Sequence, residues 1–175
     1  MTIPIISTYW VQPGHFLAGE YPGKNFPEQT HARLEFILSR GVNHIIDLTE
    51  AGELSPYTPS LLEVARQFKV EVIHQRLSIP DFSVPSPTHM LAIQHAIRSA
   101  ITQGRIIYVH CHGGLGRTGM VVACHLVDRG FSGIQALEEL QRLRQTLPAK
   151  ERSKASPETQ AQRSFVLAWK KPEKP

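Results

Sequence analysis

A short apolar, β-branched-rich run, Ile106–Val109, passes without interruption into His110-Cys111-His112-Gly113-Gly114-Leu115-Gly116-Arg117-Thr118-Gly119, and helical character resumes directly afterwards. A buried strand, a glycine-rich turn and a helix in immediate succession leave few folds open. The turn is expected beyond the carboxyl end of its strand, the edge at which open α/β sheets bind their ligands.

The rest of the chain reads as the same alternation. Asn25 and Pro27 can open a helix whose Leu34, Ile37 and Leu38 share one face, with Gly41 placed to end it. The run 43–48 reads as a strand, 60–68 as a helix and 70–75 as an alternating strand. Ser86 and Pro87 suit the cap and first position of a helix carrying Met90, Ile93, Ile97 and Ile101, closed by Gly104. Beyond the turn, a helix is expected over 119–129. A second follows, capped by Ser132 and carrying Ile134, Leu137 and Leu140, and a last one is capped by Ser156 and Pro157 with Phe165, Val166 and Trp169. Strands separated by helices imply right-handed crossovers, hence an α/β fold with a central, mostly parallel twisted sheet flanked by helices. Residues 1–23 are expected to add an antiparallel edge, with short apolar stretches around Trp10 and Phe16, and 171–175 to fray.

Composition narrows the class. At 175 residues, 41% hydrophobic and 19% charged, the sequence predicts one folded domain over 1–175 that buries a core without disulfides. No apolar run approaches the roughly 20 residues of a membrane span, and no basic-then-apolar leader opens the chain, so a cytoplasmic address is expected. Two cysteines, Cys111 and Cys124, are too few for a disulfide scaffold and suit a reducing compartment. The net charge of +4 is uneven: residues 140–175 hold nine Lys/Arg against three Asp/Glu, whereas 1–139 hold ten against twelve. That excess reads as a solvated helical surface and tail, so no nucleic-acid partner is expected, and the chain is read as a monomer.

The turn suits an oxyanion. Glycines at 113, 114 and 116 allow it to curl so that backbone N–H groups point inward, and the following helix N-terminus adds its positive end. Arg117 can close the nest with a bidentate fork, and the same positive field favours thiolate over thiol at Cys111. Other readings of the segment fit less well. Gly114 to Gly119 matches G-x-G-x-x-G, but residues about twenty further on, Glu138 and Glu139, lie in a helical pattern instead of at a strand end. Arg117 stands where a Walker A loop needs Lys. His110, Cys111 and His112 lack partners at metal-ligand spacing, so no metal and no cofactor are expected. Cys124, among Val121, Val122, Ala123 and Leu126, reads as core.

Cys, five residues, Arg and then Thr, set between a buried strand and a helix, resembles the phosphate-binding loop of the cysteine-dependent protein-tyrosine phosphatase superfamily, with spacing similar to its small dual-specificity branch. The resemblance implies a metal-independent phosphomonoester hydrolase acting on phosphoproteins through a cysteinyl-phosphate. In that scheme Cys111 is the nucleophile, His112, Gly113, Gly114, Leu115, Gly116 and Arg117 bind the phosphate, and Thr118 stabilises the departing thiolate. His110 supports the cysteine through loop backbone groups. Ile79-Pro80-Asp81-Phe82, with Asp81 thirty residues before Cys111, resembles the family's mobile acid loop and makes Asp81 the general acid. Asp47, ending an apolar strand, and Asp128, ending a helix, compete poorly. The segment 158–162 resembles one in which a glutamine positions the attacking water; Gln162 is preferred and Gln160 is the alternative. Ile79 replaces the tryptophan of many tyrosine-specific enzymes, and no Lys-Asn-Arg-Tyr segment occurs, which implies a shallower, broader pocket. Alternatives on the same scaffold are a phosphoinositide or RNA 5′-phosphatase and a phosphoprotein-binding module without turnover. Intact Cys111, Arg117 and Asp81 speak against the last.

Overall fold

The computed structural model describes residues 6–170. Five strands form: β1 (Thr8–Gln12), β2 (Phe16–Gly19), β3 (His44–Asp47), β4 (Ile73–Arg76) and β5 (Ile107–His110). They join in one sheet ordered β1-β2-β5-β3-β4, antiparallel at β1–β2 and parallel elsewhere. The α/β class and the antiparallel edge around Trp10 and Phe16 are therefore as expected. The tail 171–175, expected to fray, lies outside the described residues.

Side-chain alternation along the strands builds two cores. Phe16, Ala18, Ile46, Ile107 and Val109 face a layer made by α3 (Pro87–Thr102), α4 (Gly116–Asp128), α5 (Gly133–Leu143) and α7 (Gln160–Ala168). Leu17, Ile45 and Tyr108 face α1 (Pro27–Leu38) and α2 (Thr58–Phe68). Helix α4 is buried along its whole length. Each aliphatic side chain sequestered there contributes on the order of 1.5–3 kcal/mol, which makes α4 the axis of the larger core. The loop feeding it is consequently fixed at both ends, by the central strand before it and by the central helix after it.

Several boundaries differ from the sequence reading for local reasons. Helix α4 starts at Gly116, three residues before the expected Gly119, so that Arg117 and Thr118 belong to its first turn. Ser156 and Pro157 do not cap the last helix. Thr159 does, because Thr159 and Gln162 form a reciprocal capping box, while Ser156 is buried with its hydroxyl donated to the Leu115 carbonyl, 2.8 Å away. Ser132 caps α5 as expected, in a box with Gln135, but Ile134 points to solvent and Ala136 and Leu140 carry the buried face. The stretch left unread contains a 3₁₀ turn (Arg144–Thr146) and α6 (Ala149–Arg152). Fully buried Arg144 anchors it by donating to the carbonyls of Glu151 and Lys154 at 2.8 and 2.9 Å. Among the described residues no helix is long and apolar enough to cross a membrane, and no group of three His, Cys, Asp or Glu is placed to hold a metal ion.

Two histidines are enclosed in these cores, His110 at the end of β5 and His125 on α4, and burial lowers both from the ordinary 6.5 to about 4. The unfolded chain therefore binds more protons than the folded one between those values. Stability should be complete above pH 6.5 and fall as pH drops toward 4, by on the order of 3 kcal/mol per histidine. Thermal denaturation midpoints measured from pH 7.5 to 4.5 should decline steadily, and a flat profile contradicts the burial of neutral imidazoles.

Candidate active site

Three parallel strands deliver the site. The segments after β5, β3 and β4 all emerge at the carboxyl edge of the sheet and supply, in turn, the Cys111–Arg117 loop, Glu53 and Asp81. Cys111 directly follows β5 and is buried.

The loop's carbonyls are tied to the scaffold. The Cys111 carbonyl lies 3.1 Å from His110 Nδ1, that of His112 accepts from the Tyr21 amide at 2.8 Å, and that of Leu115 accepts from the Ser156 hydroxyl at 2.8 Å and the Gly119 amide at 3.1 Å. The amides of residues 112–118, by contrast, have no acceptor among the described residues. Gly114 permits this arrangement: its φ is +69°, and a Cβ there would lie 2.6 Å from the Gly19 backbone. A carbonyl can only accept, so His110 Nδ1 carries its proton. Nε2 then accepts from the Tyr57 hydroxyl at 2.7 Å, consistent with an imidazole kept neutral by burial. Below this pair, buried Asp47 stands 2.9 Å from Arg76 Nη2 and 3.3 Å from His74 Nε2, and its Oδ1 accepts from the Thr49 hydroxyl at 2.6 Å and the Thr49 amide at 2.9 Å. Burial pushes the Asp47 carboxyl up, but the His74, His110 and Thr49 contacts outweigh it and hold the group well below the usual range.

Arg117 is 1% exposed. Its Nη1 donates to Glu53 Oε2 at 2.8 Å and to the Ile79 carbonyl at 3.1 Å, and its Nη2 donates to Glu53 Oε1 at 2.7 Å and lies 3.0 Å from Asp81 Oδ1. Burial opposes the guanidinium's charge, yet Glu53, Cys111 and Asp81 together raise its pKa; Arg117 in turn draws the Glu53 carboxyl down. The fork is thus fastened at its Nη groups, while Nε is buried and has no partner among the described residues. Neither has the adjacent buried Thr118 Oγ1. Two orphaned polar atoms beside seven open amides can take an oxyanion, since groups left unsatisfied in the interior cost on the order of 1–3 kcal/mol each.

The remaining expected residues sit around this loop. Asp81 is partly exposed at the rim and accepts from the Phe82 amide at 3.0 Å, with Phe82 held at a φ of +57°. Gln162 is fully buried against Gly116, where a Cβ would lie 2.9 Å from its Oε1. Its Nε2 donates to the Ser83 carbonyl at 3.2 Å, tying the acid segment to α7. Gln160 is exposed, and its amide lies 3.4 Å from the Ser164 hydroxyl. Cys124 is wholly buried, and burial pushes its thiol far up, as a core residue requires. Sequence reasoning missed Glu53, Tyr57 and Ser156. The signal for Glu53 was available: it follows β3 at the same sheet edge as the loop, in the polar stretch between β3 and α2.

A strand–loop–helix anion nest with a buried cysteine at its base and an arginine in its first helical turn defines the cysteine-dependent phosphatase class. The family model for the DSP-PTPase phosphatase of polymorphic toxin systems, Tc-R-P, matches residues 21–131, and the chain belongs to that family. Cyclin-dependent kinase inhibitor 3 of Rattus norvegicus is 31% identical over 113 residues, 63% of this chain and 52% of the relative, so the chain spans about half the length of this curated relative. The active form of Tk-PTP matches with a TM-score of 0.69 at 27% identity, over 91% of this chain and 93% of that one. Kinase associated phosphatase, in a form with its catalytic-site cysteine replaced by serine, shares the fold with a TM-score of 0.68 at 23% identity, over 95% and 93% of the two chains.

The Glu53–Arg117 pairing makes a direct prediction. Glu53→Gln leaves a buried guanidinium short of its counter-charge and should destabilise the protein by on the order of 2 kcal/mol in phosphate-free buffer, with inorganic phosphate restoring part of the loss. Thermal shifts with and without phosphate measure this; a variant as stable as the parent contradicts the pairing.

Proposed function

We propose that the chain hydrolyses phosphomonoesters on proteins, phosphotyrosine and also phosphoserine/threonine, through a cysteinyl-phosphate and without a metal. The observation that carries this reading is the set of open amides at 112–118, joined by the unpartnered Arg117 Nε and Thr118 Oγ1, around buried Cys111.

In the first step the Cys111 thiolate attacks phosphorus. The S–P bond forms as the ester P–O bond breaks, and Asp81, at the rim beside Arg117, gives its proton to the leaving oxygen. The amides and Arg117 Nε receive the charge that develops on the equatorial oxygens. In the second step water attacks the phosphoenzyme while the Asp81 carboxylate takes its proton. The S–P bond breaks, inorganic phosphate leaves, and the Thr118 hydroxyl donates to the returning thiolate. Gln162, seated on Gly116 and joined to the acid segment through Ser83, positions that water. His110, bonded between Tyr57 and the Cys111 carbonyl, holds the base of the loop in register. Residues 1–175 act as one catalytic domain in this reading, as a cytoplasmic monomer whose partners are its phosphoprotein substrates.

Purified protein should cleave an aryl phosphate in EDTA, and Cys111→Ser should abolish turnover; activity retained by that variant excludes the scheme. Asp81→Asn should lower kcat by about 10²-fold or more and remove the limb of the pH–rate profile that reports the acid, with phosphate binding kept. Initial rates on phosphotyrosine, phosphoserine/threonine, phosphoinositide and RNA 5′-phosphate substrates assign the preference; a lipid or RNA optimum replaces the phosphoprotein reading.

A further inference from the structure

Beside the loop lies a cleft of about 510 Å³ lined by His112 and Gly113 of the loop itself and by Lys24, Phe26, Gln29 and Leu54. Because His112 and Gly113 belong to the loop, a molecule whose phosphate occupies the nest can extend a neighbouring group into this cleft.

The charges in this cleft are unevenly committed. Its two carboxylates each serve an arginine: Glu20 Oε1 accepts from Arg33 Nη2 at 3.0 Å, and Glu53 takes both Nη groups of Arg117. Among the described residues its one cationic side chain, the Lys24 ammonium, and the neighbouring His112 imidazole have neither an ion pair nor a hydrogen bond, and both residues are exposed. The unspent charge of the cleft is therefore positive. Phe26, 62% exposed, and half-buried Leu54 add apolar surface of the kind that carries the methylenes of a side chain. Lys24 is held in place through its backbone: its amide donates to Thr30 Oγ1 at 2.9 Å, and the same hydroxyl donates to its carbonyl at 3.3 Å.

We propose that this cleft is a substrate subsite for an acidic or phosphorylated residue flanking the scissile phosphate, recognised chiefly by Lys24 with His112 beside it. The inference rests on the phosphatase reading above and assigns its sequence preference. A carboxylate paired with an exposed ammonium contributes about 0.2–1 kcal/mol, which corresponds to a preference of up to roughly five-fold, and salt screens it.

The test uses phosphotyrosine peptides that differ only in the flanking positions, bearing Asp/Glu, phosphothreonine, Ala or Lys, with p-nitrophenyl phosphate as a substrate too small to reach the cleft. The intact enzyme should show a roughly three- to five-fold higher kcat/KM for acidic than for alanine flanks, shrinking as salt is raised. Lys24→Glu should erase or invert that ratio while leaving p-nitrophenyl phosphate turnover unchanged. Equal kcat/KM across the panel, or a preference that survives Lys24→Glu, overturns the subsite. Failure of the wild type to cleave p-nitrophenyl phosphate instead overturns the phosphatase reading. In that case peptide affinities of Cys111→Ser protein, with and without Lys24→Glu, still decide whether the cleft selects acidic flanks.

Discussion

Outward tethering of the loop carbonyls decides what the turn after β5 can be. A glycine-rich segment left to itself satisfies its own amides in turns, and nothing then remains to hold an anion. Here the carbonyls of Cys111, His112 and Leu115 are occupied by His110, Tyr21, Ser156 and Gly119, and the amides of 112–118 have no acceptor among the described residues. The tethers come from segments far apart in sequence: β5, the stretch after β2, α4 and the stretch before α7. The nest is thus a property of the whole sheet-and-helix framework as much as of the ten residues that form it.

Charge is distributed on the same plan. Arg117 enters the interior as a cation and is stabilised there by Glu53 across a two-bond fork, with Asp81 and the Ile79 carbonyl completing one side. Fixing the guanidinium before substrate arrives removes a reorganisation cost and leaves Nε without a partner among the described residues. Asp47, paired with Arg76 and 3.3 Å from His74, lies next to His110 without protonating it. A neutral His110 that donates through Nδ1 and accepts through Nε2 transmits the position of Tyr57 to the cysteine backbone.

Much of this was legible in the residues. The strand–turn–helix unit and the parallel sheet with its antiparallel edge follow from apolar periodicity and glycine placement, whereas the placing of Asp81 and Gln162 beside Cys111 and Arg117 comes from the family resemblance. What escaped depended on contacts distant in sequence. Glu53 meets Arg117 across 64 positions, announced only by its place after β3 at the loop's sheet edge, and Tyr57 meets His110 across 53 with no local pattern to announce it. Ser156 looked like a helix cap because Ser-Pro often is one, whereas tertiary packing took its hydroxyl for Leu115 and a stronger capping box at Thr159 started the helix. Ile134 fitted an apolar face by spacing but lies on the solvent side, while Ala136 and Leu140 carry the buried face of α5.

The most direct test of the account is a crystal structure of the protein with tungstate, a phosphate mimic. The anion should sit above Cys111 Sγ within hydrogen-bonding distance of Arg117 Nε and of the amides of residues 112–118, with the Glu53–Arg117 fork intact. Tungstate bound elsewhere, or a loop whose amides turn away from it, would contradict the central claim.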